Sequence, residues 1–286
     1  MRFAFIREHA GRFPVRLLCE TLEVSPSGFY AWRSRKPSHR ATENEGLAAE
    51  IGAIHACSHG RYGSPRVHAE LRRRGRRVGR RRVERLMRQH GIHGIVTPRR
   101  RPRTTDSRHG LPVAPNRLER NFTAERPNQV WAADLTYIPT EEGWLYLAAI
   151  IDLCTRKIVG WAMRDTLHGE IARAALAMAI QRQRPAPGLI HHSDRGVQYA
   201  SEPFQADLAA TSIACSMSRR GDALDNAPAE SFFHTLKTEL VHHRTYATRD
   251  EARRDLFAFI EGFYNTHRLH SALGYKSPAE MERLSA

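Results

Sequence analysis

Three carboxylates in this chain have the surroundings expected of residues that act on a charged substrate. Asp134 lies in the segment VWAADLTYI, Asp194 in IHHSDRGVQYAS, and Glu230 in DNAPAESFFHTLKTEL. The two aspartates end apolar, strand-like runs, where an unpaired charge is costly to bury. If the fold brings the three acids together, their repulsion calls for a divalent cation, and oxygen ligands suit Mg²⁺ or Mn²⁺. Two such ions about 4 Å apart are suited to phosphoryl transfer.

Asp152 competes with Asp134 for the first position of this set. It follows the equally apolar run LYLAAII, so the local pattern alone does not separate the two. The spacing to Asp194 and Glu230 favours Asp134. Alternatively, Asp152 has a structural role at the end of its strand, where its side chain bonds the residues TRK of the next turn.

Glu230 is expected on a helix that packs on the sheet. Asp225 or Asn226 is predicted to cap this helix, and Pro228 fits its first turn. Lys237 lies two turns after Glu230 on the same side, where it could contact DNA or remain a solvated surface lysine. An apolar stripe on the opposite side should aim Glu230 at the aspartates: Phe232, Phe233, Leu236 and Leu240.

His192 precedes Asp194 by two residues and should share its strand face. A contact to phosphate or to a metal-bound water is possible there, but a structural role is favoured. Arg195 and Gly196 should begin a loop whose backbone could approach DNA closely.

The charge of the chain indicates a polyanionic partner. The 286 residues carry a formal net charge of +15, and the pI is about 10.5. Between Arg72 and Arg108 there are fifteen arginines and no lysine. Because the guanidinium fork can bond two phosphate oxygens at once, this segment predicts nucleic-acid binding. The residues expected to contact DNA are Arg80, Arg81, Arg82, Arg99, Arg100, Arg101, Arg195 and Lys237.

Cysteine usage and hydropathy bear on where the protein works. The four cysteines form no CxxC pair, which suits free thiols in a reducing cytosol. His55, Cys57 and His59 alternate in HACSH, but no second ligand pair follows at zinc-finger spacing, so a helix end is favoured over a metal site. There is no signal peptide and no apolar run of about 18 residues. We therefore expect a soluble, cytoplasmic, nucleoid-associated protein.

The first 120 residues divide into helical units and a linker. Residues 1–40 predict a helix-turn-helix-like segment, with Ser25 as the cap and Pro26 as the first residue of its second helix. Residues 41–96 predict a helical DNA-binding domain, including a helix from Ser64 to Gly75. Residues 97–120 form a linker rich in proline and arginine.

The pattern changes to α/β from residue 121. Three strand-like segments, a helix, a strand, a helix, a strand and the helix of Glu230 follow in order up to residue 245. This order predicts a five-stranded mixed sheet with flanking helices, the ribonuclease H-like fold. Residues 246–286 predict a helical extension that packs on the core through Leu256, Phe259, Ile260 and Phe263, with Arg268 and His270 near DNA.

These motifs resemble the DDE transposases of the bacterial insertion-sequence family three, whose catalytic core is similar to that of retroviral integrases. The matching stretches run from YGSPRVHAEL, through WAADLTYIPT, IIDLCTRKIVGW, HHSDRGVQYAS and SMSRRGDALDNAPAESFFHTLKTEL, to YNTHRLHSALGYKSPAE. The resemblance implies that Asp134, Asp194 and Glu230 are the catalytic, metal-binding triad with two Mg²⁺ or Mn²⁺ ions. It assigns Lys237 as the basic residue that accompanies the glutamate.

The resemblance also implies an activity and its partners. Such enzymes cleave transposon ends to expose a 3′-hydroxyl, and this hydroxyl then attacks target DNA. The partners would be the terminal inverted repeats, the target DNA and further copies of this chain, since two ends must be cut together. In these elements, the protein that this chain resembles is encoded by the second of two overlapping reading frames. It is often joined to the product of the upstream frame by ribosomal frameshifting. The chain begins with Met and has no long heptad repeat, so we expect a second-frame product.

Two other functions remain open from the sequence. A DNA-binding regulator with an inactive core would bind without metal, but the presence of all three acids disfavours it. A nuclease of the ribonuclease H type would hydrolyse nucleic acid without joining strands. The basic helical units and the C-terminal extension favour a transposase over such a nuclease, although the triad alone does not.

Overall fold

The computed structural model describes residues 1–36, 38–96, 112–219 and 223–285. Its first unit contains three short helices, α1 (Arg2–His9), α2 (Val15–Thr21) and α3 (Pro26–Ser34). The Ser25 hydroxyl accepts a hydrogen bond from the Gly28 amide at 3.0 Å, which confirms the predicted cap. Helix α1 was not predicted, because its apolar residues form no regular stripe; Ile6 is nevertheless buried with Cys19 and Phe29.

The second unit contains α4 (His39–Cys57), α5 (Ser64–Arg73) and α6 (Arg80–Gln89). Helix α4 begins before the predicted apolar stripe because the Ser38 hydroxyl caps it, accepting from the Ala41 amide at 3.2 Å. On α6, Val83, Leu86 and Met87 are buried, as the helical spacing predicts.

A five-stranded mixed sheet follows, as the sequence predicts. In chain order its strands are β1 (Val130–Thr140), β2 (Gly143–Asp152), β3 (Ile158–Arg164), β4 (Ile190–Ser193) and β5 (Ala214–Met217). The spatial order is β3-β2-β1-β4-β5, with antiparallel pairing among β1, β2 and β3 and parallel pairing of β1 with β4 and of β4 with β5.

The length of the β1–β4 pairing sets the position of the candidate site. Strand β2 pairs with β1 from Trp131 to Thr140, but β4 pairs with β1 only from Val130 to Ala133. From Asp134 onwards, therefore, no strand of the described residues pairs with the edge of β1 that faces away from β2.

Helices cover both faces of the sheet. Helices α7 (Glu170–Gln183), α8 (Val197–Ala200) and α9 (Glu202–Ala210) pack with Trp131 and Ala133 in one buried cluster. Helix α10 (Ala227–Glu239) packs on the opposite face, and its cluster also includes buried residues of α4, α5 and α6. In the part of the chain that the structure describes, no helix is long and apolar enough to cross a membrane.

The C-terminal segment closes this second face. Helix α11 (Arg249–Phe257) continues as a π-helical stretch over Ala258–Tyr264, and α12 (Pro278–Ser285) follows. The four apolar residues predicted to pack on the core are all buried there: Leu256, Phe259, Ile260 and Phe263. The wider π turn was not predicted, since the spacing of those residues fits an ordinary helix.

The expectation that Arg268 and His270 lie near DNA is wrong. Arg268 is buried, and its guanidinium donates to the Glu239 carboxylate at 2.9 and 2.7 Å. The His270 ring packs edge-on against Tyr264 at 4.9 Å, and burial lowers the pKa of His270 to about 2. Arg268 therefore holds the C-terminal segment on α10, whereas His270 packs within that segment.

Two glycines provide a matched test of the close packing of α7 on β3. A Cβ at Gly160 on β3 would lie 2.8 Å from the Ala179 amide nitrogen of α7 and would also meet the Ala175 carbonyl. A Cβ at Gly52 on α4 would meet no atom within 4 Å. We predict that Gly160→Ala destabilises the protein by about 1–3 kcal/mol through overpacking. Gly52→Ala should stabilise it by up to about 1 kcal/mol through helix propensity. Chemical denaturation measures both; equal effects would contradict the close approach of α7 and β3.

Candidate active site

The site is built around Asp134, the first residue of β1 beyond the β4 pairing. Its Oδ1 accepts a hydrogen bond from the Leu135 amide at 2.8 Å, and its side chain is half-buried. Ala132 and Ala133 just before it are fully buried, so the strand carries a carboxylate directly out of the core.

Asp194 reaches the same place from the neighbouring parallel strand. Ala133 pairs with Ser193, so Asp134 and Asp194 are the next residues of β1 and β4. Adjacent strands lie about 4.8 Å apart, which brings the two carboxylates close. The Asp194 Oδ1 accepts from the Gly196 amide at 2.9 Å at the start of α8. Arg195 and Gly196 form a short loop, as predicted, and α8 follows it from Val197.

Glu230 is in the first turn of α10, and its helix is fixed to β1 directly. The Asn226 side-chain amide donates to the Ala133 carbonyl at 3.0 Å, immediately before Asp134. Asp225 accepts from Arg219 at 2.8 Å and from Arg120 at 3.0 Å. The prediction that Asp225 or Asn226 caps α10 is therefore wrong, because both side chains bond elsewhere and no side-chain cap forms.

The orientation of α10 matches the predicted stripe. Phe232, Phe233 and Leu236 are buried, whereas Glu230 and His234 lie at the surface. At the far end of the helix, Glu239 is held by Arg268. Arg66 of α5 lies 3.7 Å from the same carboxylate. Helix α10 is thus anchored at its start by Asn226 and at its end by a buried ion-pair cluster.

The three acids interact electrostatically. Burial raises the pKa of Asp134 well above its usual value, and the negative charges of Asp194 and Glu230 raise it further. Burial and the charge of Asp194 also raise the pKa of Glu230. The fold therefore brings these predicted residues close enough to disfavour ionisation of one another.

Lys237 supplies the nearby positive charge. It is half-buried on α10, and burial lowers its pKa while the attraction of Asp134 opposes that change. Its Nζ lies 5.2 Å from the centroid of the Tyr137 ring. The positive charge of Lys237 in turn lowers the pKa of Asp134.

The donor chemistry at this site fits a hard divalent cation. Three carboxylates offer oxygen ligands only, and a bound cation would offset the burial and repulsion that raise the pKa values of Asp134 and Glu230. Within the described residues, no three His, Cys, Asp or Glu side chains are already close enough to hold a metal ion.

Asp152 and His192 have structural contacts. The Asp152 carboxylate accepts from the Thr155 amide at 2.8 Å, from the Thr155 hydroxyl at 2.9 Å and from the Asn128 amide at 2.7 Å. Asp152 therefore stabilises the turn after β2, which is the structural role that the sequence offers as the alternative to catalysis. The buried His192 ring bonds the Ser216 hydroxyl at 2.8 Å and the Asp225 carbonyl at 2.9 Å. The favoured structural role of His192 is confirmed by these contacts.

The residues predicted to contact DNA occupy different environments. Arg80 pairs with Glu84 at 2.9 Å, and Arg82 donates to Asn44 at 2.8 Å and pairs with Glu43 at 3.0 Å. Arg195 donates to the Ser218 carbonyl at 2.6 Å. Arg81 is exposed on α6. Arg99, Arg100 and Arg101 lie outside the described residues. Their contacts with DNA stay predictions.

The HACSH segment ends α4, as expected. The His55 Nε2 lies 3.0 Å from the His93 carbonyl oxygen, so this ring is engaged by the backbone. Gly60 follows in a left-handed conformation with φ of 77°.

Family models match most of the chain. A model described as "Integrase core domain" matches residues 124–223, and a second of that description matches residues 211–278. A model described as "HTH-like domain" matches residues 42–102. The "Transposase InsF for insertion sequence IS3A" of Escherichia coli K12 is 39% identical over 99% of this chain and 98% of that protein. The chain belongs to the IS3 transposase family.

A second relative in this family is more similar in sequence. The "Insertion element IS600 uncharacterized 31 kDa protein" of Shigella sonnei is 45% identical over 92% of this chain and 96% of that protein. Among solved structures, a simian T-cell lymphotropic virus intasome in complex with PP2A regulatory subunit B56 gamma covers 81% of this chain and 74% of its own. Its identity is 15% and its TM-score 0.48. The match to the integrase core model, together with the five-stranded sheet described above, shows that the chain has the ribonuclease H-like integrase core predicted from the sequence.

The anchoring residues of α10 were missed by sequence reasoning. Asn226 stands at the N-cap position before a proline-containing helix start, a pattern that predicts a side-chain cap. Local spacing does not reveal that its side chain instead contacts a strand 93 positions away. Glu239 and Arg268 gave no signal, since each resembles an ordinary charged surface residue.

We predict that Asp134→Asn stabilises the protein when divalent cations are absent. The pKa of Asp134 is raised on folding, so its ionised form opposes folding once the pH exceeds that of an unperturbed aspartate, about 3.9. At pH 7 the melting temperature should rise by at least about 2 °C, which corresponds to about 1 kcal/mol in a chain of this size. The difference should shrink as the pH falls through about 4 and vanish below it, because Asp134 is then protonated in the unfolded state as well.

The matched control is Asp152→Asn, which removes a carboxylate that accepts three hydrogen bonds. This variant should lower the melting temperature at pH 7. A decrease for Asp134→Asn as large as that for Asp152→Asn would contradict the repulsion described above.

Proposed function

We propose that this chain is a metal-dependent transposase that cleaves the ends of its insertion sequence and joins the exposed 3′-hydroxyl to target DNA. The observation that carries the proposal is the mutual repulsion of Asp134, Asp194 and Glu230 at the unpaired edge of β1. The names of the IS3 relatives support the same activity.

In this proposal the three carboxylates hold the catalytic cations, Mg²⁺ or Mn²⁺. Asp134 and Asp194 would supply oxygen ligands to one ion, and Glu230 with either aspartate would supply them to the second. When bound, such ions activate the attacking oxygen and stabilise the leaving 3′-oxygen. The fixed start of α10 and the end of β4 orient the carboxylates before substrate arrives, so catalysis depends on positioning and charge.

Lys237 would position the DNA phosphate beside these carboxylates. It is the basic side chain that Asp134 attracts, and its half-buried ammonium would neutralise a phosphate that approaches the acids. The phosphodiester is transferred directly from one oxygen to another, without a covalent protein–DNA intermediate.

The helical units and the linker would bind the DNA around the site. The excess of arginine favours phosphate contacts, which position a protein but read no sequence. We propose a homo-oligomer on terminal inverted repeats and target DNA, because two ends must be cut together. The upstream-frame product, fused by frameshifting, is a further proposed partner.

We predict that Asp134→Asn, Asp194→Asn and Glu230→Gln each abolish cleavage and strand joining. Each substitution removes a metal-binding charge and keeps the size of the side chain, so DNA affinity should remain within about threefold of wild type, below 1 kcal/mol. Labelled element-end DNA with Mg²⁺ or Mn²⁺ measures cleavage, and a shift assay without metal measures binding.

Three outcomes would contradict the proposal in different ways. Nicking without joined products, from the chain alone and from its frameshift fusion, would indicate a nuclease. Metal-independent binding without cleavage would indicate a regulator. Equal loss of binding and cleavage in the variants would make the three acids structural.

A pair of neighbouring arginines tests the DNA-binding surface. Arg81 is exposed, whereas Arg82 is tied to Asn44 and Glu43. We predict that Arg81→Ala weakens DNA binding and reduces the slope of log affinity against log salt by about 0.9, the value for one lost phosphate contact. Arg82→Ala should chiefly lower the melting temperature. An unchanged salt slope for Arg81→Ala would remove Arg81 from the DNA-binding surface.

A further inference from the structure

The hairpin between β1 and β2 carries an exposed aromatic pair beside the acidic site. Trp144 is 48% exposed, and its ring meets that of the half-buried Tyr137 at 4.9 Å with an interplanar angle of 73°. Tyr137 is three residues beyond Asp134 on the same extended strand, about 10 Å away. Trp144 pairs with Pro139, so it lies farther along this strand than Tyr137, and its exposed ring is available for binding there.

Helix α11 and the segment before it hold the hairpin rigidly. The Arg249 guanidinium donates to the Trp144 carbonyl at 3.1 Å, and the Tyr246 carbonyl accepts from the Glu141 amide at 3.0 Å. At the turn, Gly143 has φ of 103°, and a Cβ there would lie 3.0 Å from the Arg249 guanidinium. The backbone of Trp144 is therefore fixed while its ring remains exposed, so little ordering is needed when a ligand binds.

Lys237 links the aromatic pair to the carboxylates. Its ammonium lies over the Tyr137 ring at 5.2 Å and is attracted by Asp134. A flat aromatic surface beside a cation is the arrangement that binds single-stranded nucleic acid, since the base stacks and the phosphate meets the charge. Glu141 and Glu142 at the hairpin tip are exposed acids and disfavour a phosphate there. The phosphate should thus lie towards Lys237 and the base towards Trp144.

We infer that Trp144 and Tyr137 form a stacking platform for one unpaired base of the DNA strand that enters the carboxylate site. The inference rests on the proposed function, because that function supplies the DNA. It adds a base-binding site to the carboxylates and Lys237, which act on the phosphate. Stacking accepts any base, so the platform selects an unpaired strand over a duplex rather than a sequence.

The test compares two DNAs of the same length and sequence, one fully paired and one with the terminal nucleotides of one strand mismatched. Binding is measured on the full chain without divalent cations, so no cleavage is required. Trp144→Ala should weaken binding of the frayed DNA by about 5- to 150-fold, the equivalent of one base–aromatic stack, and barely change binding of the duplex. Trp144→Phe should retain most of the affinity for the frayed DNA.

Phe257→Ala is the matched control. Phe257 is 53% exposed and packs against Trp161 rather than at the hairpin, so its loss should leave both affinities unchanged. Unchanged binding of frayed DNA by Trp144→Ala, or an equal loss on both DNAs, would overturn the inference.

Tryptophan fluorescence gives a second readout that does not depend on the folding of the alanine variant. Frayed DNA should quench the wild-type emission more than that of Trp144→Phe, and equal quenching would overturn the platform. Failure of the proposed function is seen separately. A chain that never cleaves element ends can still show the Trp144 effect, and a chain that cleaves them can lack it.

Discussion

The candidate site depends on the repulsion of three carboxylates that the fold brings near one another. The pairing of β4 with β1 ends at Ala133, so Asp134 emerges from the core next to the end of β4 that carries Asp194. Glu230 reaches the same point from α10. Because burial adds to the mutual repulsion, this arrangement opposes folding unless other contacts hold its parts together.

Those contacts are the anchors of α10. Asn226 bonds the carbonyl of Ala133, and at the other end Glu239 is bound by Arg268 of the C-terminal segment and lies near Arg66 of α5. A buried charge that loses its partner is strongly destabilising, so these contacts are sensitive to substitution. They also join the helical unit, the sheet and the C-terminal segment around one helix, which positions Glu230 through parts of the chain distant in sequence.

The sequence predicted the elements of this arrangement better than their contacts. Apolar runs that end in Asp134 and Asp194, and the stripe that includes Phe232 and Leu236, follow from local periodicity, and the structure has the expected strands and helix. The register that places Ala133 opposite Ser193, the Asn226 contact and the burial of Arg268 depend on pairing between distant segments. Local patterns cannot specify such contacts, so they predict a side-chain cap at Asn226 and a DNA contact at Arg268 where the structure has bonds to Ala133 and Glu239.

A calorimetric titration with Mn²⁺ in the absence of DNA tests the central claim most directly. If the clustered carboxylates form the metal site, the wild-type chain will bind Mn²⁺ and Asp134→Asn will lose this binding. The folded fraction of Asp152→Asn will bind Mn²⁺ with the wild-type affinity. Binding that is the same in wild type and Asp134→Asn, or no binding by the folded wild-type chain, would contradict the account.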